Sequence, residues 1–280
     1  MIGRPSIMES EQETTQIGSV WDLDIDKSTV ILDVDNLSVS RSGKTILREI
    51  NLRLSKGEFV GIVGPNGGGK STLLLSILGV LKLQTGKVRI FGNPPMSRRL
   101  HGRIGWVSQA ASNLPRDIKI TVRELVQLGT VNAKNMLEAF FDRRRREQVD
   151  KAIQMVGLEA VKNTEIGRLS GGQRQRAVIA RALASEADLI ILDEPLVGID
   201  RGSRNSLLKL LDDLCHNEGK TILMVSHDLT AIRQTAHRMI FLEESIRFDG
   251  TTEEFPDLDK LADLRGIGNV HNEANSKEVE

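Results

Sequence analysis

Eight consecutive residues constrain this chain more than any other stretch. Gly64-Pro65-Asn66-Gly67-Gly68-Gly69-Lys70-Ser71 satisfies the G-x-x-x-x-G-K-[ST] phosphate-loop pattern at every fixed position. The flanks fit as well. Phe59-Val60-Gly61-Ile62-Val63 reads as a strand buried on both faces of a parallel sheet. Thr72, Leu73, Leu74, Leu75, Ile77 and Leu78 continue as a mostly apolar helix, with Gly79 placed as a C′ stop. Glycines let successive backbone N–H groups converge on one cluster of oxygens, and the helix start adds free N–H groups. A helix terminus alone gives an exposed anion only about 0.3–1 kcal/mol. Lys70, with a Mg²⁺ held by the Ser71 hydroxyl, is therefore expected to carry much of the hold on the β- and γ-phosphates.

Strand-to-helix order places further groups beside this loop. Leu189-Ile190-Ile191-Leu192 is a continuous apolar run ending at Asp193-Glu194, and Thr221-Ile222-Leu223-Met224-Val225 ends at Ser226-His227-Asp228. Between them Leu207, Leu210, Leu211 and Leu214 form a helical stripe, so the order is strand, helix, strand, as in parallel βαβ units. Carboxyl ends of parallel strands share one edge, where ligands bind. Gly64, Asp193 and His227 should therefore meet around one triphosphate. Asp193 is suited to hold Mg²⁺ directly or through water, and Glu194 to orient an attacking water as general base.

Elsewhere the pattern is organisational. Residues 1–28 read as a polar leader. From Ile31 to Val39 the residues alternate with period two, Ser42-Gly43 is a turn, and Ile46 to Leu54 completes a hairpin. With Lys87-Val88-Arg89-Ile90-Phe91 these form an antiparallel layer beside the core. From about 110 to 168 the pattern is helical: Thr121-Val122-Arg123-Glu124 is a capping box, and Val149, Ala152, Ile153 and Val156 share a stripe that ends at Gly157. Leu169-Ser170-Gly171-Gly172-Gln173 opens another helix with an S-x-x-Q capping box. Its two glycines are costly at a helix start unless something approaches the backbone closely, a phosphate being the obvious candidate. Residues 256–280 form a charged, weakly patterned tail.

Lys and Arg number 38 against 38 Asp and Glu, so no global charge favours nucleic acid, and none is expected as a partner. A single cysteine excludes an internal disulfide and fits a reducing compartment. The N-terminus has no apolar signal core, and no apolar run approaches the roughly 20 residues of a bilayer span.

On these motifs the chain resembles the ATP-binding-cassette (ABC) ATPases over about residues 29–255. Leu169–Gln173 matches the family's signature, and the phosphate loop, Leu189–Glu194 and His227 follow its order. Gln109, in Val107-Ser108-Gln109, resembles the Q-loop glutamine, and Asp200, in Leu196-Val197-Gly198-Ile199-Asp200, the D-loop aspartate. The resemblance implies an α/β fold: a phosphate-loop NTPase core with a mixed, largely parallel sheet, an antiparallel β subdomain and an inserted helical subdomain. It also implies a head-to-tail dimer. Two ATPs would be sandwiched, each between one copy's loop (Gly64 to Thr72) and the other copy's Ser170, Gly171, Gly172 and Gln173. His227 would contact the γ-phosphate, and Gln109 would report on Mg²⁺ while linking core and insert. One departure stands out. Where the family stacks adenine on an aromatic residue, this chain has Arg41, and it contains no tyrosine at all. A guanidinium can stack on a base, and it can equally be a solvated turn arginine.

The insert region Ile104–Gln109 and Thr121–Gly129 resembles ATPases of binding-protein-dependent metal importers, zinc or manganese especially, with iron-siderophore importers the near alternative. That resemblance implies separate membrane permease subunits, an extracytoplasmic solute-binding protein, and a place at the cytoplasmic face of the membrane. A soluble, non-transport ABC ATPase is the reading from a different class.

Overall fold

The structure is a computed structural model that describes residues 29–113, 119–131 and 143–256. The polar leader, the charged tail after Pro256 and two parts of the helical insert, 114–118 and 132–142, lie outside the described residues.

Strand β1 (Val30–Arg41) and β2 (Lys44–Ser55) form the expected hairpin, closed by Ser42 and Gly43, both with positive φ. The period-two reading needs one correction. Leu32 and Val34 face the core, but so do Leu37 and Val39, an odd phase after an even one. A register shift between Val34 and Leu37, with Asn36 at φ 46°, absorbs the slip as a β-bulge. Strand β3 (Phe59–Val63) is buried throughout and runs into the phosphate loop, from which α1 (Lys70–Ile77) rises. Gly79, at φ 74°, stops that helix as expected. Strand β4 (Thr85–Ile90) then pairs with β1, giving a three-stranded antiparallel sheet of order β2-β1-β4.

Strand β5 (Ile104–Val107) leads into the insert, which contributes α2 (Val122–Gln127) and α3 (Arg143–Met155) before α4 (Gly171–Leu183). The insert is not wholly helical among the described residues: Thr121 and Glu165 form an isolated antiparallel bridge between its ends. The core resumes with β6 (Leu189–Asp193), α5 (Arg201–His216), β7 (Thr221–Val225), α6 (Leu229–Thr235) and a hairpin of β8 (Arg238–Glu243) and β9 (Ser245–Thr251). The six-stranded sheet has order β5-β6-β7-β3-β8-β9, parallel except for β9.

Both faces of that sheet are covered, which is why its central strands carry unbroken apolar runs. Alternate residues divide between two cores. Val60, Ile62, Ile191, Leu223 and Val225 join α1 and the antiparallel sheet, while Phe59, Val63, Ile190, Leu192 and Met224 pack with the helices on the other side. Gly61 lets α6 approach closely, since a Cβ there would stand 2.1 Å from the Ile232 side chain. Strands β6, β7 and β3 are consecutive and parallel, so their carboxyl ends lie side by side.

Candidate functional site

The cleft at that edge begins with the loop itself. Gly64 adopts φ 152°, and a Cβ there would collide with the Leu242 carbonyl oxygen at 2.1 Å. Gly69 sits at φ 96° as the residue before α1, leaving the first N–H groups of the helix free of any side-chain cap. The loop is thus pressed against β8 and opens its amides toward the cleft, a cradle in which a larger residue would be both strained and obstructed.

Among the described residues, the charged side chains that are buried are Lys70, Asp193 and Glu194, and all three stand at this edge. The Lys70 ammonium donates to the Gly64 and Pro65 carbonyls, each at 2.9 Å. Burial lowers its pKa, partly opposed by the negative charges of Glu194 and Asp193. Asp193 has its carboxyl pKa raised, chiefly by burial and secondarily by Glu194. The Ser71 hydroxyl, which donates to Asp193 Oδ1 at 3.3 Å, and the Lys70 charge pull it back. Two buried carboxylates against one ammonium leave an excess of negative charge beside a hydroxyl. A hard divalent cation matches that donor set, so the residues present fit Mg²⁺.

Glu194 directly follows β6 with φ 52°, a left-handed conformation uncommon for a residue with a side chain. Its N–H donates to the Val225 carbonyl at 2.9 Å, tying the turn to β7. Glu194 Oε2 accepts from His227 Nδ1 at 2.8 Å. The carboxylate can only accept, so Nδ1 carries the proton and Nε2 is turned to other partners. His227 is largely exposed toward the cleft while Glu194 is buried. Sequence order placed these two residues at one sheet edge, but not in direct contact; the hydrogen bond is a tertiary finding.

The cleft, about 670 Å³, is lined by Arg41, Gly64, Pro65, Asn66, Gly67, Gly69, Lys70, Ser71, Thr72, Gln109, Glu194 and His227, together with Ile46 and Val197. Gly68, within the loop, is buried, and Asp193 lies behind Ser71. Ile46 and Val197 escaped sequence reasoning because an apolar side chain in a strand or turn carries no chemical signature. The remaining expected residues are not in this cleft. Ser170 caps α4 in a reciprocal box with Gln173, the Gln173 N–H donating to Ser170 Oγ at 3.2 Å and the Ser170 N–H to Gln173 Oε1 at 3.0 Å. Asp200 caps α5, and the hydrogen bonds from Ser203 hold its exposed carboxyl below the usual range.

The two signature glycines have a reason within one chain. A Cβ on Gly172 would stand 2.5 Å from the Ser203 side chain, and one on Gly171 3.2 Å from the Gly198 carbonyl. They permit α4 to pack against the start of α5. A phosphate is therefore not needed to explain them, although Ser170 itself remains exposed.

Comparison with known proteins agrees with this geometry. The family profile described as ABC transporter matches residues 47–197. The zinc uptake system ATP-binding protein ZurA of Listeria monocytogenes is 38% identical over 225 residues, 80% of this chain and 87% of its own length. The zinc transport system ATP-binding protein TroB of Treponema pallidum is 34% identical, covering 83% of this chain and 87% of its own. Among solved structures, cbiO1 of Clostridium perfringens, part of the ABC transporter complex cbiONQ, aligns with TM-score 0.71 at 29% identity over 89% of this chain and 96% of that one. A dimeric post-hydrolysis state of the ATP-binding cassette MJ0796, bound to ADP and Pi, aligns with TM-score 0.64 at 29% identity over 80% of this chain and all of that one. With its phosphate loop, buried Asp193-Glu194 and His227 gathered at one sheet edge, this chain belongs to the ATP-hydrolysing subunits of the ABC transporter family.

Proposed function

We propose that the chain is the ATP-binding and hydrolysing subunit of a metal importer, with zinc as the favoured cargo. It would work as a head-to-tail pair on separate membrane permease subunits fed by an extracytoplasmic solute-binding protein. The observation that carries the two-copy reading is the composition of the cleft. Lys70, Ser71, Glu194 and His227 line it, whereas Ser170, Gly171, Gly172, Gln173 and Asp200 of the same chain do not. Half of the expected site is thus left for a second copy, whose exposed Ser170 would close over the nucleotide. The zinc reading rests on relatives named for zinc uptake and on no metal-binding residue of this chain: among the described residues no three His, Cys, Asp or Glu side chains group as metal ligands. None of the described helices is long and apolar enough to cross a membrane, so a position at the cytoplasmic face would come through the permease.

In this reading the loop amides and Lys70 bind the β- and γ-phosphates of ATP. Ser71 and Asp193 would hold Mg²⁺, which when bound offsets phosphate charge and supplies a fixed anchor for the terminal phosphoryl group. Glu194 orients water for attack and takes up its proton. His227, held through Nδ1 by Glu194, turns Nε2 toward the γ-phosphate. Gln109 stands in the cleft wall at the start of the insert, placed to sense an occupied site. Arg41 and Ile46 form the wall for the base, and among the described residues no Phe, Tyr or Trp lines it. We therefore expect weak discrimination between bases, with Arg41 stacking in place of an aromatic ring. ATP and GTP affinities left unchanged by Arg41→Ala would remove that role.

The deciding experiment is uptake of zinc, manganese and iron by cells or vesicles carrying this chain with the permease subunits it co-purifies with. Zinc-dependent ATP turnover and uptake are expected. Uptake of iron chelates alone, or co-purification with a soluble complex and no permease, would overturn the zinc importer.

A further inference from the structure

We propose that Arg204, acting through Asp228, is a positioning residue for the His227–Glu194 contact and ties that contact to α5. The inference rests on the reading of the cleft as an ATP-hydrolysing site, and it concerns residues outside that cleft. The turn Ser226–Asp228 is held at each of its residues. The Ser226 N–H donates to the Ile62 carbonyl on β3 at 3.1 Å, and the His227 ring bonds Glu194. Asp228 is held by both ends: its N–H donates to Ser226 Oγ at 3.1 Å, while Oδ1 accepts from the Ala231 N–H at 3.0 Å to cap α6. Its other oxygen, Oδ2, takes the Arg204 Nη1 donor in a close ion pair.

Arg204 lies in the first turn of α5, with its N–H on the Asp200 carbonyl at 2.9 Å. A continuous path therefore runs from Glu194 through His227, Asp228 and Arg204 to the helix start that Asp200 caps. Three features separate this pair from an ordinary surface ion pair. Its carboxylate is the neighbour of the histidine that touches Glu194. Arg204 Nε is buried without a hydrogen-bond partner, a cost the side chain would escape by swinging outward. An open groove of about 670 Å³ between α5 and α6 gives it the room to do so. The guanidinium stays because Asp228 holds it, and Asp228 in turn is kept from rotating about its cap. A turn free to shift would carry the His227 ring away from Glu194 and from the γ-phosphate.

The test uses the full-length chain with Mg-ATP, measuring turnover against ATP concentration for Arg204→Gln, Asp228→Asn, the double variant and Arg204→Lys. Asparagine caps a helix as well as aspartate does, so Asp228→Asn removes the charge and keeps α6 capped. Each single change is expected to lower kcat about ten- to a hundredfold, as a small misplacement of a catalytic group does, with KM for ATP within about twofold. The double variant should fall no further than either single one, and Arg204→Lys should recover part of the loss, with thermal unfolding midpoints unchanged across the set. Wild-type kcat in Asp228→Asn or Arg204→Gln, multiplicative losses in the double, or a rise in KM at constant kcat would each overturn the link. A wild-type chain that fails to hydrolyse Mg-ATP both alone and with the permease subunits it co-purifies with would instead overturn the reading of the cleft, which needs no variant to detect.

Discussion

The phosphate-loop edge and the signature face of this molecule use similar residues to opposite ends. At the loop edge Lys70, Asp193 and Glu194 are buried, two of them with perturbed pKa values, and Glu194 holds an uncommon backbone conformation. At the signature face Ser170 and Asp200 are exposed, each satisfied as a helix cap, and neither region buries a charge. The first arrangement costs folding free energy and has no use without a ligand to neutralise it. The second is stable as it stands, and in the two-copy proposal it acts when another copy is laid against it. One chain therefore holds a strained half-site of buried charge and a relaxed half-site of exposed caps, and the two-copy proposal is that catalysis joins the halves of different copies.

Four measurements break or sharpen that contrast. The largest effect belongs to the charged half. Glu194→Gln should retain ATP binding, trap the closed pair and lower turnover by ~10²–10⁴-fold, the usual worth of a general base. An active Glu194→Gln variant would remove Glu194 from that role. Next, Ser170→Arg should stop turnover by preventing closure, yet leave nucleotide affinity of the isolated chain unchanged when measured by fluorescence titration. Lost affinity in the monomer would mean that the signature serves its own cleft.

Smaller effects report on stability. Ser170→Ala deletes a capping oxygen and should cost about 1 kcal/mol, read as a lower unfolding midpoint, whether or not nucleotide is present. Asp193→Asn should act in the other direction on the nucleotide-free protein. The folded carboxyl pKa of Asp193 is raised above its ordinary value of 3.8, so the folded state binds the proton more tightly than the unfolded one. Ionised Asp193 therefore destabilises the fold at neutral pH. The advantage of the Asn variant should shrink as pH falls through the raised pKa toward 3.8, and thermal melts across that range measure it. A variant less stable than wild type at pH 7 would show that Asp193 is already compensated.

The contrast also explains what was legible in advance. The loop, the apolar runs ending at Asp193 and His227, and the capping boxes at Thr121 and Ser170 are local signals, and the structure has each of them where sequence order places it. The bulge at Asn36 was not legible, because a one-residue slip is decided by what both faces of β1 must meet. Strands β5 and β8–β9 were missed for related reasons. β5 has only four residues, with Gly105 among them, and β8 is bounded by Arg238 and Glu243. Arg238 is accommodated there by Asp249 on the paired strand at 2.5 Å and by Glu58, distant in sequence, at 3.0 Å. The glycine pair at Gly171-Gly172 invited a ligand explanation, and its close neighbours within the chain, Gly198 and Ser203, were not legible.

By itself, the order of residues determined that the phosphate loop and the runs ending at Asp193 and His227 share one sheet edge, because backbone amides, glycine conformations and apolar runs are properties of contiguous segments. Only the tertiary structure decided which side chains share charge there: the His227–Glu194 bond, the Ser71–Asp193 contact and the Arg204–Asp228 pair each join segments far apart in sequence. It also decided that Ser170 and Asp200 stay out of their own cleft. Electrostatic interactions depend on distance through space and on burial, and neither quantity exists until the chain has folded.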